Sequence, residues 1–441
     1  VLKLEGQTVL VGGDMRPSSP EFSKAFANGA VARGADVELL DLISTDELYF
    51  ACGYLNRAGA TFTASHNPAG YNGIKMSKAG AVPISSETGL KDIQALAEQY
   101  LNTGSIPAVE QRGQISVRDV LKDYAEYLRK LVDLSGSRPL KVVVDAGNGM
   151  AGLTTPAVLG DALLPKLPLD IVPLYFELDG SFPNHPANPL EPENLRDLQA
   201  AVLQHGADIG LAFDGDADRC FVIDERGEPV SPSAITALVA TREVAKEVAN
   251  GAPVGDIRIV YNVITSRVVP EMIRESGAQP VRTRVGHSFI KAEMAKAGAV
   301  FGGEHSAHYY FRDFWFADTG MLAALHVLAA LGEATVPLSE LGAAYERYVA
   351  SGEINSRVSD VAAAAARVRD WANAHGPVEL DELDGLTVTY QEQPMWWFNV
   401  RPSNTEPLLR LNVEAADRGT MERVRDEVLE RIRATTEGRD S

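Results

Sequence analysis

Two short stretches of this sequence carry residues that can do chemistry together. Thr63-Ala64-Ser65-His66-Asn67-Pro68 offers a serine in a tight polar loop closed by proline. Asp214-Gly215-Asp216-Ala217-Asp218-Arg219 offers three carboxylates on alternate residues. Alternate side chains of an extended segment point the same way, so Asp214, Asp216 and Asp218 are expected to converge. Unpaired they repel one another, and a cation relieves the repulsion. An all-oxygen donor set suits Mg²⁺, which leaves room for phosphate oxygens and water. A phosphate carried on Ser65 would add one more oxygen to that set. Together the motifs read as phosphoryl transfer through a phosphoserine held on the metal.

A serine is a weak nucleophile unless something orients it and takes its proton. Lys75 follows in Gly70-Tyr71-Asn72-Gly73-Ile74-Lys75, and the two glycines would let that loop fold back over Ser65. Plainer readings stand beside these. Ser65 and Asn67 can form only a side-chain turn before Pro68. The aspartates can also open a helix–loop–helix calcium site with Glu225 in its last place. That site requires glycine where Arg219 stands, and the flanks 209–213 and 220–224 read as strands rather than helices.

Further polar loops join the first two. Gly302-Gly303-Glu304-His305-Ser306-Ala307-His308 brings together an acid, a hydroxyl and two imidazoles. Glutamate and serine suit vicinal sugar hydroxyls, and His308 can move a proton near neutral pH. Val285-Gly286-His287-Ser288 is similar in kind. Arg401-Pro402-Ser403-Asn404-Thr405-Glu406-Pro407 offers what a phosphate dianion needs, a fork of donors and a turn of backbone N–H groups, with Arg410 as a second fork. It can equally be an ordinary polar hairpin. Gly147-Asn148-Gly149-Met150-Ala151-Gly152 formally matches the dinucleotide fingerprint, and the favoured reading is a tight strand-to-helix turn.

The elements that must position these loops follow an α/β rhythm. Residues 8–12, 36–42 and 59–63 are strand-like around a helical stretch 20–33, and the third strand delivers the Ser65 loop at its C-terminal end. The pattern restarts at 140–145 and at 257–263. The last part changes character: an alanine-rich helix over 361–374, strands at 385–391, 396–401 and 408–414, and a charged helix from 418 to 435. The expected architecture is three similar α/β domains with mixed sheets plus a C-terminal α+β domain, divided at 1–111, 112–228, 229–347 and 348–441. A chain of 441 residues is too long for one ordinary core.

Composition narrows the function. A net charge of −19 argues against general nucleic-acid binding, so an anionic substrate must meet a locally positive cleft. Two cysteines, Cys52 and Cys220, fit a reducing compartment and buried packing rather than a disulfide framework. No apolar run reaches a membrane span, and 321–331 reads as a buried helix despite His326. No signal peptide is visible, and a cytoplasmic protein is expected.

The motifs T-A-S-H-N-P, D-G-D-A-D-R, G-E-H-S-A-H and R-P-S-N-T-E-P, in this order along essentially the whole chain, resemble the α-D-phosphohexomutase family, specifically its bacterial phosphomannomutase/phosphoglucomutase type. The resemblance implies four domains around a central cleft, each giving one loop. It implies phosphorylation of Ser65, and Mg²⁺ on Asp214, Asp216 and Asp218 together with a phosphoserine oxygen. Glu304 and Ser306 become sugar-hydroxyl readers, and His287 and Arg219 further cleft residues. Arg401, Ser403, Asn404, Thr405 and Arg410 become the clamp for the non-reacting phosphate. Lys75 and His308 are the acid/base candidates, and Arg16 lies near the phosphoserine. The implied ligands are hexose phosphates, with a hexose 1,6-bisphosphate as intermediate and activator; the assembly is expected to be a monomer or homodimer. A Tyr-Asp-x-Arg-Gly motif that helps form the family's active site is expected ahead of Val1, so a missing N-terminal segment is inferred. His305 and Ala307 stand where dual-specificity members commonly carry Met and Gly, and glucosamine-type members carry Gln at the first of these. A phosphoglucosamine mutase and a catalytically silent sugar-phosphate-binding homologue are therefore the competing expectations.

Overall fold

The computed structural model describes residues 4–403 and 408–434. Four five-stranded sheets follow one another along the chain. The first contains β1 (Thr8–Gly13), β2 (Asp36–Leu42), β3 (Ala58–Phe62), β4 (Ile74–Ser77) and β5 (Ile115–Val117), in the order β4-β3-β1-β2-β5. The second contains β6 (Leu140–Asp145), β7 (Leu169–Leu174), β8 (Ile209–Phe213), β9 (Cys220–Asp224) and β10 (Pro229–Val230), in the order β10-β9-β8-β6-β7. The third contains β11 (Arg258–Asn262), β12 (Gln279–Thr283), β13 (Phe301–Gly303), β14 (Tyr309–Phe311) and β15 (Ala317–Asp318), in the order β12-β11-β13-β14-β15.

These three sheets share one plan. The first strand of each lies between the second and third and runs parallel to both, and a fourth strand returns antiparallel beside the third. The turn between third and fourth strands is, in every case, one of the polar loops singled out above. It holds Ser65 between β3 and β4, the three aspartates between β8 and β9, and Glu304 to His308 between β13 and β14. The fourth sheet is antiparallel throughout: β16 (Val349–Arg357), β17 (Val378–Asp381), β18 (Leu386–Tyr390), β19 (Trp396–Pro402) and β20 (Leu408–Ala415), in the order β16-β20-β19-β18-β17. Its polar loop again joins two hairpin strands, with Arg401 paired opposite Arg410.

Parallel strands covered on both faces are apolar runs rather than alternating ones. Val142, Val143 and Val144 on β6 are all fully buried. The first three domains share one continuous apolar cluster, from Leu10 through Val143 to Phe314. The fourth has a cluster of its own around Trp371, Phe398, Leu411 and Val424. The first three domains are thus packed as one body, with the fourth attached to it. Among the described residues no helix is long and apolar enough to cross a membrane. Helix Gly320–Glu333 is buried over most of its length, as expected, and His326 stacks on Phe311. Cys52 and Cys220 are buried free thiols, and burial pushes both up.

Candidate active site

The serine loop leaves β3 with a residue in the left-handed region: Ser65 has φ +50. Such a conformation costs a non-glycine residue energy and persists only where the surroundings impose it. Arg16 is what imposes it here. Its fully buried guanidinium donates to the carbonyls of Ser65 (2.8 Å), Asn67 (2.7 Å), Pro68 (2.8 Å) and Tyr71 (3.0 Å), and its Nε donates to Asp14 (3.1 Å). Every donor of the side chain is engaged. Arg16, expected near the phosphoserine, lies there and holds the serine loop through its carbonyls.

Ser65 Oγ donates to Asp214 Oδ2 at 2.7 Å, and Arg219 Nη2 lies 3.4 Å from Ser65 Oγ. Gly215 makes this approach possible, because a Cβ there would sit 2.5 Å from the Ser65 carbonyl oxygen. The carboxylates of Asp214, Asp216 and Asp218 do converge, with ligand oxygens within 4.8 Å of one another. The reason differs from the expectation. Residues 214–219 form a tight turn with Ala217 at φ +62, so chain reversal gathers the aspartates, not strand alternation. The turn Gly147–Met150 lies beneath: Met150 N donates to Gly215 O at 2.9 Å. That glycine-rich segment is a strand-to-helix turn supporting the aspartate loop. Glu225, the last position of the calcium-loop alternative, bonds Ser339 instead.

The donor set fits a hard divalent cation. Asp216 Oδ1 and Asp218 Oδ1 are buried without a hydrogen-bond partner, an arrangement that is costly unless a cation meets it. Burial pushes Asp214 up to about 6 against the pull of Arg219, whose guanidinium lies 2.8 Å away. Burial acts upward on Asp218 too, but the Lys75 ammonium holds it below the usual carboxylate range.

Lys75 sits on β4 opposite Thr61, not in a loop folded over the serine. Its Nζ lies 2.6 Å from Asp216 Oδ2 and 2.7 Å from Asp218 Oδ2. Burial would lower its pKa, yet the two carboxylates hold it well above the ordinary lysine range. Its neighbours here are anions, and they favour the charged ammonium.

The third loop meets the second through a backbone bridge between Arg219 and His308. His308 Nδ1 is 3.0 Å from Ser306 Oγ, and its Nε2 is 3.7 Å from Asp218 Oδ1. Glu304 is buried, accepting from Asn262 Nδ2 (2.9 Å), Gly286 N (3.3 Å) and Tyr310 OH (2.8 Å). Ala307 takes φ +64, the conformation that glycine adopts most easily. His305 Nδ1 lies 3.0 Å from Ser233 Oγ, at the start of helix Pro232–Ala249. His287 opens helix His287–Ala297, whose Lys291 pairs with Asp318 and lies over the Tyr49 ring. In the fourth domain, Arg401 and Arg410 both reach Glu353. Ser403 follows β19, and Asn404 and Thr405 lie outside the described residues.

Sequence reasoning missed the N-terminus of helix Thr45–Tyr54. Thr45 donates its hydroxyl to Asp216 Oδ2 (2.6 Å) and its N–H to Asp216 O (3.0 Å). Asp46, fully buried, accepts from Tyr124 OH of the second domain (2.6 Å) and Thr319 Oγ1 of the third (2.7 Å). One carboxylate thus ties three domains together behind the aspartate loop. The signal was available in part: Ser44-Thr45-Asp46-Glu47 is a capping-box sequence, and the box is formed.

Known proteins resemble this chain over almost its whole length. Models of phosphoglucomutase/phosphomannomutase α/β/α domains I, II and III match residues 1–103, 122–227 and 231–348, and the C-terminal domain model matches 353–431. A phosphomannomutase of Escherichia coli is 40% identical over 429 residues, covering 96% of this chain and 90% of that protein. A protein of Xanthomonas campestris pv. campestris named for phosphohexose mutases is 41% identical, covering 93% and 88%. A crystal structure of a phosphoglucomutase/phosphomannomutase family protein from Burkholderia thailandensis superposes with a TM-score of 0.84 at 30% identity, covering 98% of this chain and 90% of that one.

Proposed function

The chain belongs to the phosphoglucomutase/phosphomannomutase family, and on that premise we propose that it interconverts hexose 1-phosphates and hexose 6-phosphates, of mannose and glucose, through a phosphoserine at Ser65. The observation that carries this reading is the meeting of Ser65 Oγ with the aspartate loop, 2.7 Å from Asp214, beside two cationic side chains.

Phosphoserine 65 passes its phosphoryl group to the free hydroxyl of a bound hexose monophosphate. The serine P–O bond breaks as the new one forms, giving a hexose 1,6-bisphosphate and free Ser65. The intermediate then turns end for end, and Ser65 takes back the phosphoryl group from the other end. Mg²⁺ held by Asp214, Asp216 and Asp218 would supply positive charge to the transferring group. Arg219 stands beside Ser65 and serves the same end. The hydroxyl's proton goes to His308, whose ring lies between Ser306 and Asp218, or to Lys75, whose ammonium a cation on the aspartates would release. Glu304 and Ser306 read sugar hydroxyls common to mannose and glucose, which differ only at C2. Arg401, Ser403, Asn404, Thr405 and Arg410 hold the phosphate that does not react. The free bisphosphate serves as activator by rephosphorylating Ser65. We place the protein in the cytoplasm as a monomer or homodimer, with no nucleic-acid or membrane partner.

The test is turnover of glucose, mannose and glucosamine 1-phosphates with Mg²⁺ and catalytic glucose 1,6-bisphosphate. Comparable rates on mannose and glucose support the reading. Turnover of glucosamine phosphate alone, or of none, overturns it in favour of the glucosamine-specific or silent alternative.

A further inference from the structure

The two arginines of the fourth-domain clamp already hold an anion belonging to the protein. Arg401 on β19 and Arg410 on β20 are directly opposed across the hairpin, where two like charges repel. Glu353 on the neighbouring strand β16 reaches both. Its Oε2 accepts from Arg401 Nη2 at 2.9 Å and its Oε1 lies 3.3 Å from Arg410 Nη1. One carboxylate thus spans two guanidinium groups, as the oxygens of a phosphate would. The match is incomplete, because among the described residues Arg401 Nε and Arg410 Nε are both buried without an acceptor. Two unsatisfied buried donors make this a poorer arrangement than one offering each guanidinium a full set of oxygens.

We propose that Glu353 is a resident counter-anion of the phosphate clamp, displaced when a sugar phosphate binds and returning to the arginines when the phosphate leaves. This rests on the mutase reading for its purpose. A mutase of this kind must release the clamped phosphate in mid-cycle so that the bisphosphate can turn round, then clamp the other end. A carboxylate waiting on the adjacent strand stabilises the open clamp and lowers the barrier to that release. Glu353 is therefore a positioning residue that sets the balance between holding and releasing, at the expense of ground-state affinity.

The test uses the full chain and the variant Glu353→Gln, which keeps size and removes charge. Inorganic phosphate is titrated by calorimetry, with Arg401→Ala assigning the heat to the clamp. Losing an ion-pair competitor of partly exposed geometry should tighten phosphate binding about fivefold. In the mutase assay, KM for glucose 1-phosphate should fall and kcat should fall with it. Unchanged or weaker phosphate binding would overturn the proposal and leave Glu353 as a support for the arginines. If Glu353→Gln melts early, Glu353→Ala is the second variant: it also removes the competing charge, and it must show the same tightening. Absence of mutase turnover would count against the activity reading, whereas the phosphate titration judges Glu353 alone.

Discussion

Replacing Lys75 by methionine should weaken the metal-free protein and strengthen its hold on Mg²⁺. The ammonium lies 2.6 and 2.7 Å from carboxylates of Asp216 and Asp218 that are 0% and 2% exposed. Removing one partner of a buried pair costs about 3–5 kcal/mol. The Lys75 side chain is 31% exposed, so solvent screening reduces this to about 2 kcal/mol. A cation on the aspartates competes with the ammonium for the charge of the same two carboxylates, so the loss falls on the metal-free form and spares the metal-bound one. By reciprocity the same 2 kcal/mol appears as Mg²⁺ affinity, an increase of about thirtyfold. Mg²⁺ at about a hundred times its Kd stabilises by about 2.7 kcal/mol, enough to offset the deficit. The assays are thermal unfolding of wild type and Lys75→Met in EDTA and in Mg²⁺, with calorimetric titration of Mg²⁺. A deficit of equal size with and without Mg²⁺, or weaker Mg²⁺ binding by the variant, would refute the competition.

Burial pushes Glu47 up to about 8 from an ordinary glutamate value. A carboxyl group whose folded pKa is raised adds stability that is complete below its unfolded pKa, near 4.5, and is lost as pH rises through 8. Glu47→Gln lacks that loss, so its melting temperature should gain on wild type between pH 5 and pH 8.5; parallel profiles would contradict the assignment. A methyl group on Gly53 would sit 2.1 Å from Trp315 Cδ2, and the indole is stacked on Tyr127 and packed edge-on against Phe50. Gly53→Ala should therefore cost about 1–3 kcal/mol in chemical denaturation, and much of this should be recovered with Trp315→Leu if the clash is the cause.

The strands were legible wherever a run of apolar residues is bounded by polar turns: Leu140–Asp145, Ile209–Phe213 and Cys220–Asp224 end where the pattern ends. The loops were legible because each gathers its chemistry within a few residues. Long-range pairings have no such signature. Nothing in Gly13-Asp14-Met15-Arg16 announces that the guanidinium will be consumed by carbonyls of residues 65–71. Nothing local links Thr45 to Asp216, or Glu353 to Arg401. The convergence of the aspartates was foreseen through the wrong geometry, since alternation in a strand and reversal in a turn both bring neighbouring carboxylates together. The sign of the shift at Lys75 depends on which charges the fold brings to it, and these are the carboxylates of another domain.

The proposed reaction stands or falls with Ser65 carrying the phosphoryl group. Intact-mass measurement of the full chain after incubation with glucose 1,6-bisphosphate and Mg²⁺ tests it most directly. The prediction is a mass increase of one phosphate in the wild type that is absent in Ser65→Ala. A phosphorylated Ser65→Ala variant, or a wild type that takes up no phosphate while turning over substrate, would contradict it.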